Sequence, residues 1–264
     1  MKQKRDQFVI ACLSSSRDAD TVLPYAQQCA DHLGKGLVAL TCGPAEETEW
    51  VTQLGVPYAA LRCEWHEAIA NMPALLGAVL AIAVVNPQAP RSAFSNPRRF
   101  LRNFAECKTA YIALPTDFHT PRSAFRSVAL TLTHHRESKE KLIWASYFAR
   151  FFASRIRILH HTYHDETLHS RWRNNMRYLD KVFGSLNLSY EEEELTLSSE
   201  FANPDFAALT RQGIDLLIAL ATDQRDRDLA DLLMGPPELR LLRRAGSLPI
   251  LLLNRRDDLY VLCD

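Results

Sequence analysis

FVIACLSSSRDADTVLPYAQQCADHLGKGLVAL (8–40) and SVALTLTHHRESKEKLIWASYFARFFASRIRIL (127–159) decide the reading of this chain, because the second repeats the first 119 residues later without a gap. Val9/Val128, Leu13/Leu132, Arg17/Arg136, Leu23/Leu142, Ala26/Ala145, Ala30/Ala149 and Leu40/Leu159 coincide. Asp18/Glu137, Tyr25/Trp144, Leu33/Phe152 and Leu37/Ile156 are alike in kind. The matches fall on apolar positions or helix entrances, where a shared fold would place them. The chain therefore reads as two domains of one architecture, 1–120 and 121–264.

Working outward, each copy continues as strand, helix, strand. Copy one offers apolar runs at 8–13, 37–42, 56–62, 78–85 and 109–114; copy two offers them at 128–133, 156–161, 186–197, 215–222 and 249–254. The runs are mostly unalternating, which suits a parallel sheet with helices on both faces. Leu23, Ala26, Ala30 and Leu33 form a helical stripe, capped at its start by Asp18 or Asp20 and ended by Gly34. A second helix over about 165–183 is longer than its counterpart over 46–54, and PTDFHTPRSA (115–124), with two prolines, reads as the linker. The expected architecture is two doubly wound, Rossmann-like parallel sheets, with ligand positions beyond the carboxyl ends of strands one and four.

Composition narrows the function classes. Thirty-one basic residues balance 31 acidic ones over 264 residues, so no net field draws the protein to nucleic acid or to anionic lipid. Six cysteines without a C-x-x-C pair read as thiols of a reducing compartment. The charged start MKQKRDQ lacks the apolar core of a secretion signal, and the uncharged stretch 68–90 is broken by Asn71, Pro73, Gly77 and Asn86, which favours a buried strand over a membrane span. A cytoplasmic protein is expected, with neither nucleic acid nor membrane as partner.

CLSSSRDADTVLPYA and LTHHRESKEKLIWASYFA resemble the opening of universal stress protein domains, and DLADLLMGPPELRLLRRAGSLPILLL (228–253) resembles their close. The resemblance covers nearly the whole chain twice. It implies adenine nucleotide alpha hydrolase-like domains of five parallel strands, paired through their final strands, so 109–114 and 249–254 are expected to lie antiparallel across a pseudo-two-fold as an internal dimer. It further implies ATP held by an Asp after strand one and by a G-x2-G-x9-G-[Ser/Thr] loop after strand four. The Asp position falls on Ser14 and Thr133; the loop positions in copy two fall on Thr222, Arg225, Gly235 and Pro236. One glycine remains of three, and Pro236 has no N–H to donate. In copy one VVNPQAPRSAFSNPRR contains no glycine. ATP and other cofactors are therefore disfavoured, and no catalytic residue is assigned. Any surviving pocket would use Ser14, Thr133, His160, Thr222, Arg225 and Gly235.

One constellation lies outside the family pattern. His134 and His135 follow strand one of copy two, and His160, His161 and His164 follow strand two, with Asp165, Glu166 and Asp223 as possible carboxylates. Imidazoles on one sheet edge could gather a zinc-like ion or an anion, although solvated loop histidines are the simpler reading, since neighbours on a strand end point apart. Ser14–Ser16 read as turn and cap. Arg91, Arg98, Arg99 and Arg102, with Arg240, Arg243 and Arg244, would steer an anion or complement helix dipoles. Glu191–Glu194 read as a solvated strand face or edge, and Leu259–Cys263 as an apolar segment adding to or covering a sheet edge. The leading expectation is a non-catalytic, cytoplasmic stress-response interaction module with an unknown protein partner and a possible homodimer; the alternative is a nucleotide, small-ligand or metal sensor, or weak hydrolase, using the second copy.

Overall fold

The computed structural model describes residues 7–105, 107–119, 121, 125–135, 138–194, 206–221 and 236–254, and the chain divides into two compact units, 1–124 and 125–264. In the first, β1 (Phe8–Cys12), α1 (Ser16–Leu33), β2 (Gly36–Cys42), α2 (Ala45–Thr48), β3 (Tyr58–Leu61), α3 (Trp65–Leu76), β4 (Ala78–Val85), α4 (Pro97–Phe104) and β5 (Ala110–Pro115) alternate along the chain. Their strands are all parallel in the order β3-β2-β1-β4-β5. The second unit has β6 (Ser127–Thr131), α5 (Ser138–Phe151), β7 (Arg155–His160), α6 (Glu166–Ser185), β8 (Glu191–Glu194), α7 (Phe206–Arg211), β9 (Leu216–Leu220), α8 (Pro237–Arg244) and β10 (Ile250–Leu253). Its order, β8-β7-β6-β9-β10, is the same winding. Strands that are buried on both faces, such as β4 and β10, explain why the apolar runs do not alternate.

The sheet registers show that the repeat is structural. Ile10 pairs with Val38 and Ala129 with Arg157, so the offset of 119 holds from β1 to β2. On the other side Ile10 pairs with Ala81 and Ala81 with Tyr111, while Ala129 pairs with Leu217 and Leu217 with Ile250. Tyr111 and Ile250 are therefore equivalent positions.

Helix ends carry the local signals. Ser15, extended at φ −158°, caps α1, and the Asp18 carboxylate accepts from its backbone N–H, closing a capping box. Gly34 ends α1 at φ 61°, a left-handed conformation glycine adopts at little cost. Its equivalent at the end of α5 is Ala153, held at φ 52°. Thus the second copy keeps the turn but not the residue suited to it.

Several expectations change in detail. Within the stretch 68–90 the buried strand is β4, at the 78–85 expected for it, preceded by the last part of α3 and a left-handed Gly77 at φ 59°. The helix expected over 46–54 is a short α2 followed by a 3-10 turn, Glu49–Gln53. Of the strand expected over 186–197 only Glu191–Glu194 is β structure: 186–190 form a turn and an irregular stretch after α6, and 195–197 lie outside the described residues. It is an edge strand against β7, where Glu191 meets Arg155 at 3.5 Å and Glu193 pairs with Arg157. The acidic run is thus balanced by a basic neighbour. Among the described residues, no helix is long and apolar enough to cross a membrane. Residues 1–6 and Leu259–Cys263 lie outside the described residues.

Each unit has its own core. In the first, Phe94, Phe100, Phe104 and Tyr111 pack around one another, with the Trp65 and Phe94 rings stacked at 4.0 Å. In the second, Phe125, Phe148 and Phe152 form an aromatic group, and Ala129, Leu159, Leu209, Ile214, Leu217 and Leu248 form an aliphatic one. Burial of this kind supplies the main favourable term of folding.

Candidate functional site

A doubly wound sheet presents its loops for ligands where the winding reverses, here beyond β1 and β4 and beyond β6 and β9. In the first unit these loops satisfy themselves. After β1, Leu13 N–H donates to the Leu40 carbonyl at 2.9 Å. The Asp18 carboxylate then accepts from Ser14 N–H at 2.9 Å, Ser14 Oγ at 2.7 Å and Ser15 N–H at 3.0 Å. Ser14 is thereby part of a helix cap, and its donors point at Asp18.

The loop after β4 is likewise turned inward. Asn86 accepts on its side chain from Gln88 N–H at 2.9 Å and on its carbonyl from Ala89 N–H at 3.0 Å. Ala93 N–H donates to Pro90, Asn96 N–H to Ala93, and the Asn96 side chain donates to Ala89 at 2.9 Å while accepting from Arg98 N–H at 3.1 Å. A phosphate cradle needs converging backbone N–H groups aimed outward. Here the N–H groups of Asn86, Gln88, Ala89, Ala93 and Asn96 are used inside the loop, and buried Phe94, stacked on Trp65, pins it. Of the basic group, Arg99 pairs with Glu64 at 3.1 Å, whereas Arg91, Arg98 and Arg102 are exposed.

The second unit begins alike and then departs. Leu132 N–H donates to the Leu159 carbonyl at 2.8 Å, as Leu13 does to Leu40. Thr133 Oγ1 and Ser138 Oγ lie 2.8 Å apart, sharing one hydrogen bond. Buried Asn175, from α6, donates to the Thr133 carbonyl at 2.8 Å and to the His135 carbonyl at 2.9 Å. An amide side chain on α6 therefore holds the loop after β6. Thr222, Arg225 and Gly235, and also Asp223, lie outside the described residues; Pro236 is the residue before α8.

Sequence reasoning missed a buried charged residue close to this loop. Lys141, on α5, is 4 % exposed, and its Nζ donates to the Thr131 carbonyl at the end of β6, with Thr131 Oγ1 at 3.4 Å. Among the described residues no carboxylate pairs with it. Desolvation disfavours the ammonium form and pulls the amine down to about 8. At the equivalent place the first unit has Val22, fully buried. The signal was available: the alignment sets a lysine against a valine on the core side of a helix stripe.

The histidines are not brought together as a ligand set among the described residues. Among the described residues, no three His, Cys, Asp or Glu side chains are grouped as an ion site. His134 and His135 lie beyond β6 in a bend, so they do not point apart as strand neighbours would; their rings are 4.1 Å apart, with Tyr163 edge-on to His134 at 5.4 Å. His160 sits 5.0 Å from the Trp172 ring, with Nε2 at 3.9 Å from Glu192, and His169 stacks against Trp172 at 5.7 Å. Among the described residues, the buried Nδ1 atoms of His160 and His161 and Trp172 Nε1 have no hydrogen-bond partner. His164 is exposed, and Asp165 is occupied as the cap of α6, accepting from Leu168 N–H at 2.8 Å. The edge above β6 and β7 is thus a belt of aromatic and imidazole rings beside one buried amine.

No protein-family profile matches the chain, and no curated protein matches it in sequence. Solved structures do match it in fold along nearly its whole length. A functionally unknown protein from Pseudomonas aeruginosa PAO1 superposes with a TM-score of 0.61 at 14 % identity, covering 97 % of this chain and 94 % of that one. A universal stress protein from Archaeoglobus fulgidus DSM 4304 gives 0.61 at 12 % identity, over 95 % and 97 %. The cytoplasmic domain of a prokaryotic cation chloride cotransporter gives 0.53 at 12 % identity, over 94 % and 95 %. Function does not follow from a fold shared at such identities. The chain carries two α/β domains with the Rossmann-like fold of universal stress proteins in tandem.

Proposed function

We propose that this protein is a stress-response module of the tandem universal stress protein type that works by binding a protein partner, without ATP and without turnover. The reading is supported chiefly by the first unit, whose two switch-point loops spend the N–H donors of Ser14, Ser15, Gln88 and Arg98 on Asp18, Asn86 and Asn96. A nucleotide would have to break those bonds before it could be held. Binding of radiolabelled ATP to the full chain tests this: no retention at millimolar nucleotide is expected, and micromolar binding would overturn it. Replacing Thr133 by Asp would leave that result unchanged, since one carboxylate does not supply a phosphate cradle.

The proposal places the protein in the cytoplasm, in keeping with the buried thiols of Cys12, Cys29 and Cys107, and couples the two units through their final strands, with homodimerisation of whole chains as a further step. Fractionation and native mass spectrometry check these points.

A second reading is favoured by one observation, the buried Lys141 amine without a paired carboxylate among the described residues. On that reading the second unit senses a small anionic ligand, with Lys141 supplying charge and Thr133 and His160 lining the approach. Thermal shift with inorganic phosphate, AMP and a dicarboxylate separates the two readings, because only the second expects a ligand-dependent rise that Lys141→Met abolishes.

A further inference from the structure

Three cysteines of the first unit stand at successive strand ends on one edge of its sheet. Cys12 closes β1 opposite Leu40. Cys42, two residues beyond Leu40, closes β2 opposite Leu61, and Cys63 follows Leu61 by two residues. Side chains two apart on a strand share a face, so each step sets the next sulfur diagonally beside the last. The Gly43 N–H donates to the Leu61 carbonyl at 3.0 Å, which keeps β2 and β3 together to their ends, and the chain then bends at Arg62 and Cys63 before entering α3.

The outer two sulfurs are neighbours. Cys42 and Cys63 are both free thiols and both half-buried, and a side-chain hydrogen bond joins them. Cys12, by contrast, is 1 % exposed, and Cys29 on α1 is fully buried. Burial first, and then the adjacent Cys63, holds the Cys42 thiol well above its ordinary range, with Glu64 adding to the effect. Cys42 therefore keeps its proton and is the second sulfur to react. The second copy has Thr131 and His161 where the first has Cys12 and Cys42, so it carries no counterpart of those thiols.

We propose that Cys42 and Cys63 are a reversible redox site, closing an intramolecular disulfide when a peroxide reaches the first unit. The Cys63 sulfur attacks hydrogen peroxide: an S–O bond forms, the O–O bond breaks, and the released hydroxide leaves as water with the Cys63 proton. The Cys42 sulfur then attacks the Cys63 sulfenic acid. An S–S bond replaces the S–O bond, and the hydroxyl leaves as water with the Cys42 proton. Two thiols give up two electrons and one peroxide becomes two waters; a dithiol reductant restores both thiols by exchange and is itself oxidised. In a reducing compartment such a bond is transient, which suits a sensor and not a structural staple. It ties the end of β2 to the entrance of α3, on the carboxyl edge of the sheet. The proposal goes beyond the functional reading above and does not depend on it.

The test treats the reduced full chain with hydrogen peroxide, alkylates the remaining thiols and maps tryptic peptides without reductant. Cleavage after Arg62 puts the two sulfurs on separate peptides, 36–62 and 63–91, each with one cysteine. The two peptides are expected to be joined, to separate with dithiothreitol, and to join on the order of tenfold faster than the buried Cys29 is oxidised. In Cys42→Ser, dimedone is expected to label Cys63 as a stranded sulfenic acid; in Cys63→Ser, Cys42 is expected to stay unlabelled. A link between Cys12 and Cys42, links only between chains, or loss of this pair no faster than of Cys29 would overturn the proposal. Dimedone on Cys42 in Cys63→Ser would overturn the order of attack.

Discussion

The first unit closes its working edge with short polar side chains, whereas the second closes it with an amide, a buried amine and a belt of rings. Asp18 gathers three donors in one loop, and Asn175 binds two carbonyls in the other. Both solutions hold the same turn after the first strand, yet one is local in sequence and the other reaches across from α6. Val22 against Lys141, Gly34 against Ala153 and Gln28 against Tyr147 repeat the contrast. A duplicated scaffold tolerates such drift because the sheet registers and the apolar stripe carry the fold, leaving loop and surface positions to change separately.

The largest effect expected from pressing on this contrast is at Lys141. Burial holds its amine at about 8, below the usual 10.5, so between those values the unfolded chain keeps more protons than the folded one. Unfolding free energy must therefore rise with pH through that window, with the full cost of burial present below about pH 8. Lys141→Met should raise stability at pH 7 by about 3 kcal/mol and flatten the alkaline slope, because each tenfold weakening of proton affinity on folding costs the charged amine about 1.4 kcal/mol. Urea melts of both proteins at pH 7 and pH 10 measure it. Equal slopes would mean that the amine is not desolvated.

Next in size is the tie across the loop after β6. Asn175→Ala leaves the Thr133 and His135 carbonyls without their donor and should destabilise the second unit by about 2 kcal/mol, with little change in the first. Asp18→Ala should do the converse by about 1 to 2 kcal/mol, the usual loss for a capping carboxylate and its bonds. Hydrogen exchange resolved by unit distinguishes them, and equal loss in both units from either change would show that the two loops are not separate devices.

The smallest predicted effect is at the end of α5. Ala153→Gly should stabilise by about 1 kcal/mol, since the left-handed conformation at φ 52° suits glycine. The reverse change, Gly34→Ala at φ 61°, should cost a similar amount in the first unit. Thermal melts of the pair check whether the two turns are energetically equivalent.

Much of this was legible in the chain. The offset between 8–40 and 127–159 survives as a register match in the sheets, and the end of α1 and the start of α6 fall where Gly34 and Asp165 place them. The strand and helix pattern was readable because apolar periodicity is a local property. Where reading failed, tertiary context intervened: 46–54 was too short and polar to hold a full helix, and the uncharged run before the expected strand 78–85 hid a helix end and a left-handed glycine.

The candidate site was less legible, because its residues belong to different elements. Thr133 was located by alignment, but nothing in the sequence says that Asn175, 42 residues away, would bond its carbonyl. The histidine run drew attention by composition, and the structure sets His134 beside His135 and His160 beside Trp172.

The sequence by itself determined the duplication, the parallel winding and the absence of a glycine cradle in the loop after β4, because each rests on residue type and spacing along the backbone. Only the tertiary structure decided that the first unit's loop donors face inward and that Lys141 is buried against the end of β6. Hydrogen-bond partners and desolvation depend on what other elements bring alongside, and that is a property of packing.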